Sequence, residues 1–169
     1  MNNARSSTAR ATGARYISKQ LRVFFDADVL IRAAYPQSRQ SASYILLQLS
    51  ELTLIEGVCS PYVIKQAERN IDEKLPEILA EFKELIEAAI DEVQNAPEES
   101  LGRFSSRAHP EDLPVLAAAV LNSCRYLVTV NVRHYPKPPR GLKVVTPGRF
   151  VEIAREKLTG LEKSALAPA

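Results

Sequence analysis

The chain has 169 residues, 46% of them hydrophobic, and a formal net charge of +2 at pH 7. This length supports one domain with a substantial buried core and is too short for two comfortable ones. Uncharged stretches such as residues 113–124 fall short of the roughly 18 apolar residues that a membrane-spanning helix needs. The sequence therefore predicts a soluble protein with no membrane contact.

The small net charge hides an asymmetry along the chain. Residues 1–20 carry four basic side chains and no acidic one, which predicts a disordered basic leader, with an organelle transit peptide as the alternative. Residues 65–99 hold eleven acids against four bases, whereas six bases and no acid lie between Asp112 and Glu152. A basic surface beside an acidic cluster suits a polyanion held over a metal site, but an ordinary mixed surface has the same composition.

The two cysteines, Cys59 and Cys124, lie in apolar surroundings and in neither a CxxC nor a Cys/His spacing. We interpret both as small core residues. This usage fits a reducing compartment and predicts a cytoplasmic protein.

Apolar periodicity in the first half of the chain alternates between strand and helix patterns. Ser60 followed by Pro61 is a strong helix start, because serine caps free amides and proline fits the first turn. The predicted elements are a strand at residues 21–25, a helix at 44–52, a strand at 52–60, a helix at 61–71 and an amphipathic helix at 75–93.

The second half continues the alternation and completes a predicted α/β domain. Strands separated by helices indicate a parallel sheet covered by helices on both faces. We place this domain at residues 21–158 and assign residues 159–169 to a flexible tail. The predicted elements are a loop at residues 95–110, a helix at 111–124, strands at 126–130 and 142–146, and a helix at 147–158.

Polar side chains stand where two predicted strands end. Asp26 follows the strand "LRVFF", and Asn131 follows "YLVTV". Asp112 lies in the first turn of the helix before the latter strand, where the helix dipole favours an acid. Because parallel strands gather their carboxyl ends at one edge of a sheet, these three side chains should converge there. Oxygen ligands without His or Cys partners suit Mg²⁺ or Mn²⁺.

With these segments the sequence resembles a PIN domain, the α/β fold of many metal-dependent ribonucleases, including toxins of bacterial toxin-antitoxin pairs. The matching segments are "VFFDADVLIRAA", "HPEDLPVLAAAVLNSCRYLVTVNVRHY" and "GLKVVTPGRFV". The resemblance implies a three-layer α/β/α domain with a short, mainly parallel sheet. It also implies that Asp26 and Asp112 are central metal-binding acids; their structural alternatives are a turn residue and a helix N-terminal acid.

The sequence departs from the family's four-acid pattern at two positions. Gln66 stands where the helix after "CSPYV" would carry a glutamate, and Asn131 stands where an aspartate would follow "YLVT". An amide offers a carbonyl oxygen but brings no charge and cannot act as a base. Asp28, two residues after Asp26 in an extended chain, would project from the same face and restore a charge near the metal. Alternatively, Asp28 caps a helix.

Several other polar residues are weaker candidates. His109 and His134 could orient an acid or act as a base, although capping or surface roles are simpler. We interpret Tyr126 and Tyr135 as core and loop residues. We expect three basic residues to steer RNA by its backbone, with little sequence preference: Arg133, Lys137 and Arg140.

The leading hypothesis is a divalent-metal-dependent endoribonuclease of the PIN type. Asp26 and Asp112, helped by Asp28 and Asn131, would hold Mg²⁺ or Mn²⁺. The resemblance further implies an RNA substrate and a toxin restrained by a small antitoxin protein, and we expect a homodimer. Two alternatives stay open: a catalytically degenerate PIN domain that binds RNA or protein, and an α/β module whose acids are all structural.

Overall fold

The structure is a computed structural model that describes the backbone of residues 21–165 and the side chains of residues 21–160. The predicted leader, residues 1–20, lies outside the described residues, as do residues 166–169 of the predicted tail. Within residues 21–165, no helix is long and apolar enough to cross a membrane.

The described chain alternates strands and helices, as the sequence predicts. The strands are β1 (Arg22–Phe25), β2 (Glu56–Cys59), β3 (Asp91–Glu92), β4 (Tyr126–Val128) and β5 (Lys143–Val145). The α-helices are α1 (Ala27–Ala34), α2 (Ala42–Glu51), α3 (Pro61–Lys74), α4 (Leu79–Ala89), α5 (Leu113–Leu121) and α6 (Pro147–Ala165). Short 3-10 helices lie at Pro36–Ser38, Pro76–Ile78, Glu98–Phe104, Pro110–Asp112 and Val132–His134.

The strands form one five-stranded parallel sheet in the order β3-β2-β1-β4-β5. Val23 of the central strand lies opposite Gly57 on one side and Tyr126 on the other. Helices α1 to α4 and α6 pack against one another, whereas α5 packs on β4 and on the 3-10 helix Glu98–Phe104. This arrangement confirms the predicted three-layer α/β/α fold of the PIN type.

The sheet and its helices enclose one apolar core. Phe24, Phe25, Val58 and Leu127 are completely buried on the three central strands. β1 is buried because it has a strand on each side and helices on both faces, which explains its continuous apolar run. The polar residues directly after it must therefore find partners at the edge of the sheet.

Helix α2 approaches the sheet closely at Gly57. A Cβ atom at this position would collide with the Ser50 hydroxyl and the Phe25 ring. The Ser50 hydroxyl accepts a 3.0 Å hydrogen bond from the Gly57 amide and donates one to the Ala89 carbonyl. Only glycine allows this approach, which fixes the position of α2 beside the central strands.

The structure corrects several predicted element boundaries. The predicted helix at 75–93 is wrong at its end: Ile90 adopts an extended conformation and Asp91–Glu92 pair with β2 instead. The loop at 95–110 contains a 3-10 helix, and the strand at 52–60 begins only at Glu56 because α2 and a turn with positive φ at Thr53 occupy its first part. Helix α6 extends to Ala165 and so includes the first residues of the predicted tail.

Candidate active site

Asp26 links the central strand to the first helix. It follows β1 directly and caps α1, because its Oδ1 accepts a 2.8 Å hydrogen bond from the Ala27 amide. Its Oδ2 accepts a 2.9 Å hydrogen bond from the Tyr135 hydroxyl. Only 8% of Asp26 is exposed. Each oxygen of the Asp26 carboxylate thus has its own partner: Oδ1 caps helix α1, and Oδ2 binds the buried Tyr135 phenol.

Asp28 also lies at this edge of the sheet, but its backbone is helical rather than extended as predicted. We expected an extended chain from Asp26 to Asp28; the helix already begins at Ala27, so Asp28 is the second residue of α1. Its Oδ2 accepts hydrogen bonds from the Thr129 hydroxyl at 3.1 Å and the Val130 amide at 3.0 Å. The capping acid is Asp26, whereas Asp28 joins α1 to the segment after β4.

Asn131 reaches this edge as well. β4 ends at Val128, so Asn131 lies three residues beyond the strand rather than directly after it. Its Nδ2 donates a 3.3 Å hydrogen bond to Asp28 Oδ2, and its backbone amide donates to the Thr129 hydroxyl at 3.1 Å. The amide side chain is therefore a hydrogen-bond donor to an acid here.

Asp112 enters from the other side of the site and pairs with a histidine. It ends the 3-10 helix Pro110–Asp112 immediately before α5. Its Oδ2 lies 3.0 Å from His134 Nδ1. The His109 ring stacks on His134 with centroids 4.8 Å apart, and the His109 amide donates to the His134 carbonyl at 2.8 Å. The two histidines thus fix the position of Asp112.

Burial and neighbouring carboxylates disfavour the charged forms of Asp26 and Asp28. Burial raises the pKa of Asp26 against the hydrogen bonds from Tyr135 and Ala27, and the charge of Asp112 raises it further. Burial, followed by the charge of Asp26, raises the pKa of Asp28 to about 6. Burial also raises the pKa of the Tyr135 phenol, as do the charges of all three acids, which keeps this hydroxyl a donor. A cation would relieve this repulsion.

The side chains at this edge that could bind a metal ion do so mainly through oxygen, and one of these oxygens makes no hydrogen bond. Asp28 Oδ1 is buried and has no hydrogen-bond partner within the described residues. No group of three or more His, Cys, Asp or Glu side chains among residues 21–160 is arranged to hold one metal ion. Mg²⁺ commonly uses one or two carboxylates and fills its other positions with water and substrate phosphate. The residues present therefore fit a hard divalent cation held by two carboxylates.

The remaining predicted residues lie on exposed surfaces. Gln66 is an exposed residue of α3 and makes no hydrogen bond with any described residue. The side chains of Arg133, Lys137 and Arg140 are also exposed. None of these three basic side chains pairs with an acid of the described chain, so all three remain accessible to a polyanion.

Sequence reasoning missed the roles of two polar residues of this edge and misjudged the role of a third. Tyr135 is 2% exposed and holds Asp26, whereas we had interpreted it as a loop residue. Thr129 bridges Asp28 and Asn131. Ser60 directly follows β2 and precedes α3, but the prediction that its side chain caps this helix is wrong, because its buried hydroxyl has no partner among the described residues. For Tyr135 the sequence offered one chemical clue: a tyrosine that becomes buried needs a polar partner for its hydroxyl.

The fold and this acidic edge define a PIN-type α/β domain. The sequence model of the PIN domain family matches residues 22–133, about two-thirds of the chain. The chain therefore belongs to the PIN domain family, whose members are generally metal-dependent nucleases. The match includes Asp26, Asp28, Asp112 and Asn131 and ends immediately before His134. No curated protein matches this sequence.

Proposed function

We propose that this PIN domain is a divalent-metal-dependent endoribonuclease. The observation that carries the proposal is the placement of two buried acids at one edge of the sheet: Asp26, held by the Tyr135 hydroxyl, and Asp28, held by Thr129 and Val130, both with raised pKa values. Burial first, and neighbouring carboxylates second, raise these pKa values, and carboxyl groups perturbed in this way are typical of a functional site. Membership in a family of nucleases gives the reaction class.

Asp26 and Asp112 would hold Mg²⁺ or Mn²⁺, Asp28 would add a negative charge beside them, and Asn131 would orient Asp28 by a hydrogen bond. The cation would activate a water molecule and neutralise the phosphate as charge develops. The chain itself supplies orientation. The Tyr135 hydroxyl fixes one oxygen of Asp26, and His134 fixes one oxygen of Asp112.

The substrate side of the proposal depends on exposed positive charge. Arg133 lies in the 3-10 helix that contains His134, so it stands beside the acidic edge. Lys137 and Arg140 follow in the next loop. These residues would attract RNA through its phosphates and give little sequence preference.

Membership in the family suggests an RNA substrate and an antitoxin partner. PIN domains act on RNA and often pair with antitoxins. We propose that this chain is the toxin of such a pair, that a small antitoxin protein restrains it, and that it forms a homodimer. Co-expression with the product of the adjacent gene, followed by purification and measurement of the mass of the complex, tests all three points.

A cleavage assay with matched variants tests the enzyme. The parent protein, Asp26→Asn, Asp112→Asn and the control Glu111→Gln are incubated with a mixed RNA pool in Mn²⁺, in Mg²⁺ and in EDTA. Glu111 is exposed and adjoins Asp112, so its variant controls for the loss of one acid. We expect cleavage by the parent and the control only, and only with metal. Cleavage that survives in Asp26→Asn, or none by a clean parent preparation, would contradict the proposal.

A second candidate function is a degenerate PIN domain that binds RNA without cutting it. Gln66 and Asn131 favour it, because both lack the charge that the family pattern supplies. In this case RNA binding persists in EDTA and no cleavage accompanies it, which the same set of proteins reveals.

A further inference from the structure

A cleft lies beside the acidic edge, between the N-termini of α2 and α6. Its volume is about 230 Å³, which leaves room for a phosphate group. Arg32, Ser43, Val130 and Gly148 are among the lining residues, and none of the lining residues is acidic. We call it the α2–α6 cleft. Its surface has the chemistry of an anion site.

Main-chain N–H groups supply part of this chemistry. The first turn of α2 begins after Ser41, whose hydroxyl caps only the Tyr44 amide. In α6 the Thr146 hydroxyl caps only the Arg149 amide. The amides of Ala42, Ser43 and Gly148 have no acceptor among the described residues, and all three residues line the cleft. Two helix N-termini therefore present unbonded donors to one space.

Two side chains provide independent support for a ligand. Ser43 is only 2% exposed and lines the cleft, yet its hydroxyl has no hydrogen-bond partner among the described residues. A hydroxyl in this position can donate a hydrogen bond to an anion in the cleft. Arg32 is exposed and forms no ion pair with any described acid, even though it lies one turn along α1 from Asp28. Its guanidinium is available for a phosphate.

The cleft is continuous with the acidic edge. Val130 lines the cleft, and its amide donates to Asp28 Oδ2. One short segment after β4 thus separates an anion-attracting cleft from an anion-repelling carboxylate. A single strand of RNA lying across this segment would place one phosphate at the acids and a neighbouring phosphate in the cleft.

We propose that the α2–α6 cleft binds a backbone phosphate of single-stranded RNA next to the phosphate at the acidic edge. The proposal rests on the proposed function for the identity of the ligand, but it requires no cleavage. The cleft would set the register of the strand on the enzyme, because a phosphate contact positions the backbone without reading its sequence.

Binding in EDTA tests this proposal separately from catalysis. The probe is a fluorescent single-stranded oligouridylate, and its anisotropy is measured over a range of salt concentrations. The variants are Arg32→Ala, Ser43→Ala and Gly148→Glu. Gly148 has open space around its Cβ position, and a carboxylate in the first turn of a helix is favourable, so Gly148→Glu should fold while placing a negative charge at the cleft. Arg39→Ala, which removes an exposed arginine outside the cleft, is the matched control.

We expect all three cleft variants to bind the RNA several-fold more weakly than Arg39→Ala does. Arg32→Ala should also lower the slope of log affinity against log salt by about 0.7, the contribution of one phosphate contact to a single strand. Equal behaviour of Arg32→Ala and Arg39→Ala, or no RNA binding by the parent protein, would overturn the proposal.

An NMR titration identifies the source of the anion. Amide shifts of Ala42, Ser43 and Gly148 are followed with the oligouridylate and, separately, with inorganic phosphate. Shifts with the RNA support the proposal, whereas shifts with phosphate alone, or none with either, contradict it. If the RNA shifts these amides but the protein cleaves no RNA, only the proposed function is refuted. Cleavage that Arg32→Ala leaves unchanged, with unchanged binding, would refute only the cleft.

Discussion

The hydroxyl of Tyr135 donates a 2.9 Å hydrogen bond to Oδ2 of Asp26, across 109 residues of sequence. Asp26 is buried, and its other oxygen is already occupied by the Ala27 amide. The phenol therefore determines the orientation of the carboxylate. It also opposes the effect of burial on the pKa of Asp26, which favours the charged form that a cation requires.

Tyr135→Phe removes this donor and little else. We expect the pKa of Asp26 to rise further, so that a proton competes more strongly with Mn²⁺ and affinity falls several-fold, more at pH 6 than at pH 8. Loss of the buried hydrogen bond should cost about 1–2 kcal/mol of unfolding free energy. Calorimetry and urea unfolding measure the two effects. Tyr126→Phe, which removes the same atom from another buried tyrosine, is the control; equal losses in both variants would argue against a role for Tyr135 in positioning Asp26.

Asp28 makes stability depend on pH in metal-free protein. Its folded pKa of about 6 exceeds the ordinary value of 3.8, so the folded state binds the proton more tightly than the unfolded state. Its contribution is therefore most favourable below pH 4 and is lost as pH rises to about 6, by on the order of 2–3 kcal/mol. Asp28→Asn should remove this dependence. The difference between the urea unfolding curves of parent and variant, from pH 4 to pH 7.5 in EDTA, isolates the effect, and Asp72→Asn controls for net charge. A difference that does not change with pH would refute the assignment.

Gln66→Glu should strengthen cation binding if Gln66 occupies the family's acidic position. A fourth carboxylate near the metal adds attraction that the present amide lacks. We expect Mn²⁺ affinity to rise by about tenfold, with a gain of cleavage if the parent is weak. Gln48→Glu makes the same chemical change on an exposed face of α2 and should have no such effect. Identical calorimetric titrations for the two variants would place Gln66 outside the site.

His134→Ala should loosen Asp112. The 3.0 Å contact from His134 Nδ1 holds one carboxylate oxygen, and carboxylates that bind metals commonly depend on such support. We expect Mn²⁺ affinity to fall by about tenfold while the melting temperature changes little, since His134 is partly exposed. His109→Ala removes the stacked ring but keeps the backbone contact, so it should have a smaller effect. A larger loss in His109→Ala would show that stacking, not the contact with Asp112, supports the site.

The alternation of apolar runs and helix signals was enough to predict the parallel sheet and its direction. Asp26 and Asp112 could be chosen because strand ends and helix starts are visible in sequence. The partners of these acids were not predictable. Tyr135 reaches Asp26 through the short 3-10 turn after Asn131, and sequence periodicity does not specify the path of such a turn. Residues 90–93 were misassigned because their apolar spacing continues the helix pattern, whereas pairing with β2 decides their structure.

Strand order has a consequence for the synthesis of this protein. β1 lies between β2 and β4 in the sheet, and β4 is synthesised about a hundred residues after β1. Asp26 and Asp28 acquire their partners only when Thr129, Val130 and Tyr135 exist. A nascent chain that ends before these residues contains Asp26 and Asp28 but not the residues that hold them in place. A proposed ribonuclease chain that has not yet been extended through Tyr135 would thus lack the assembled acidic edge.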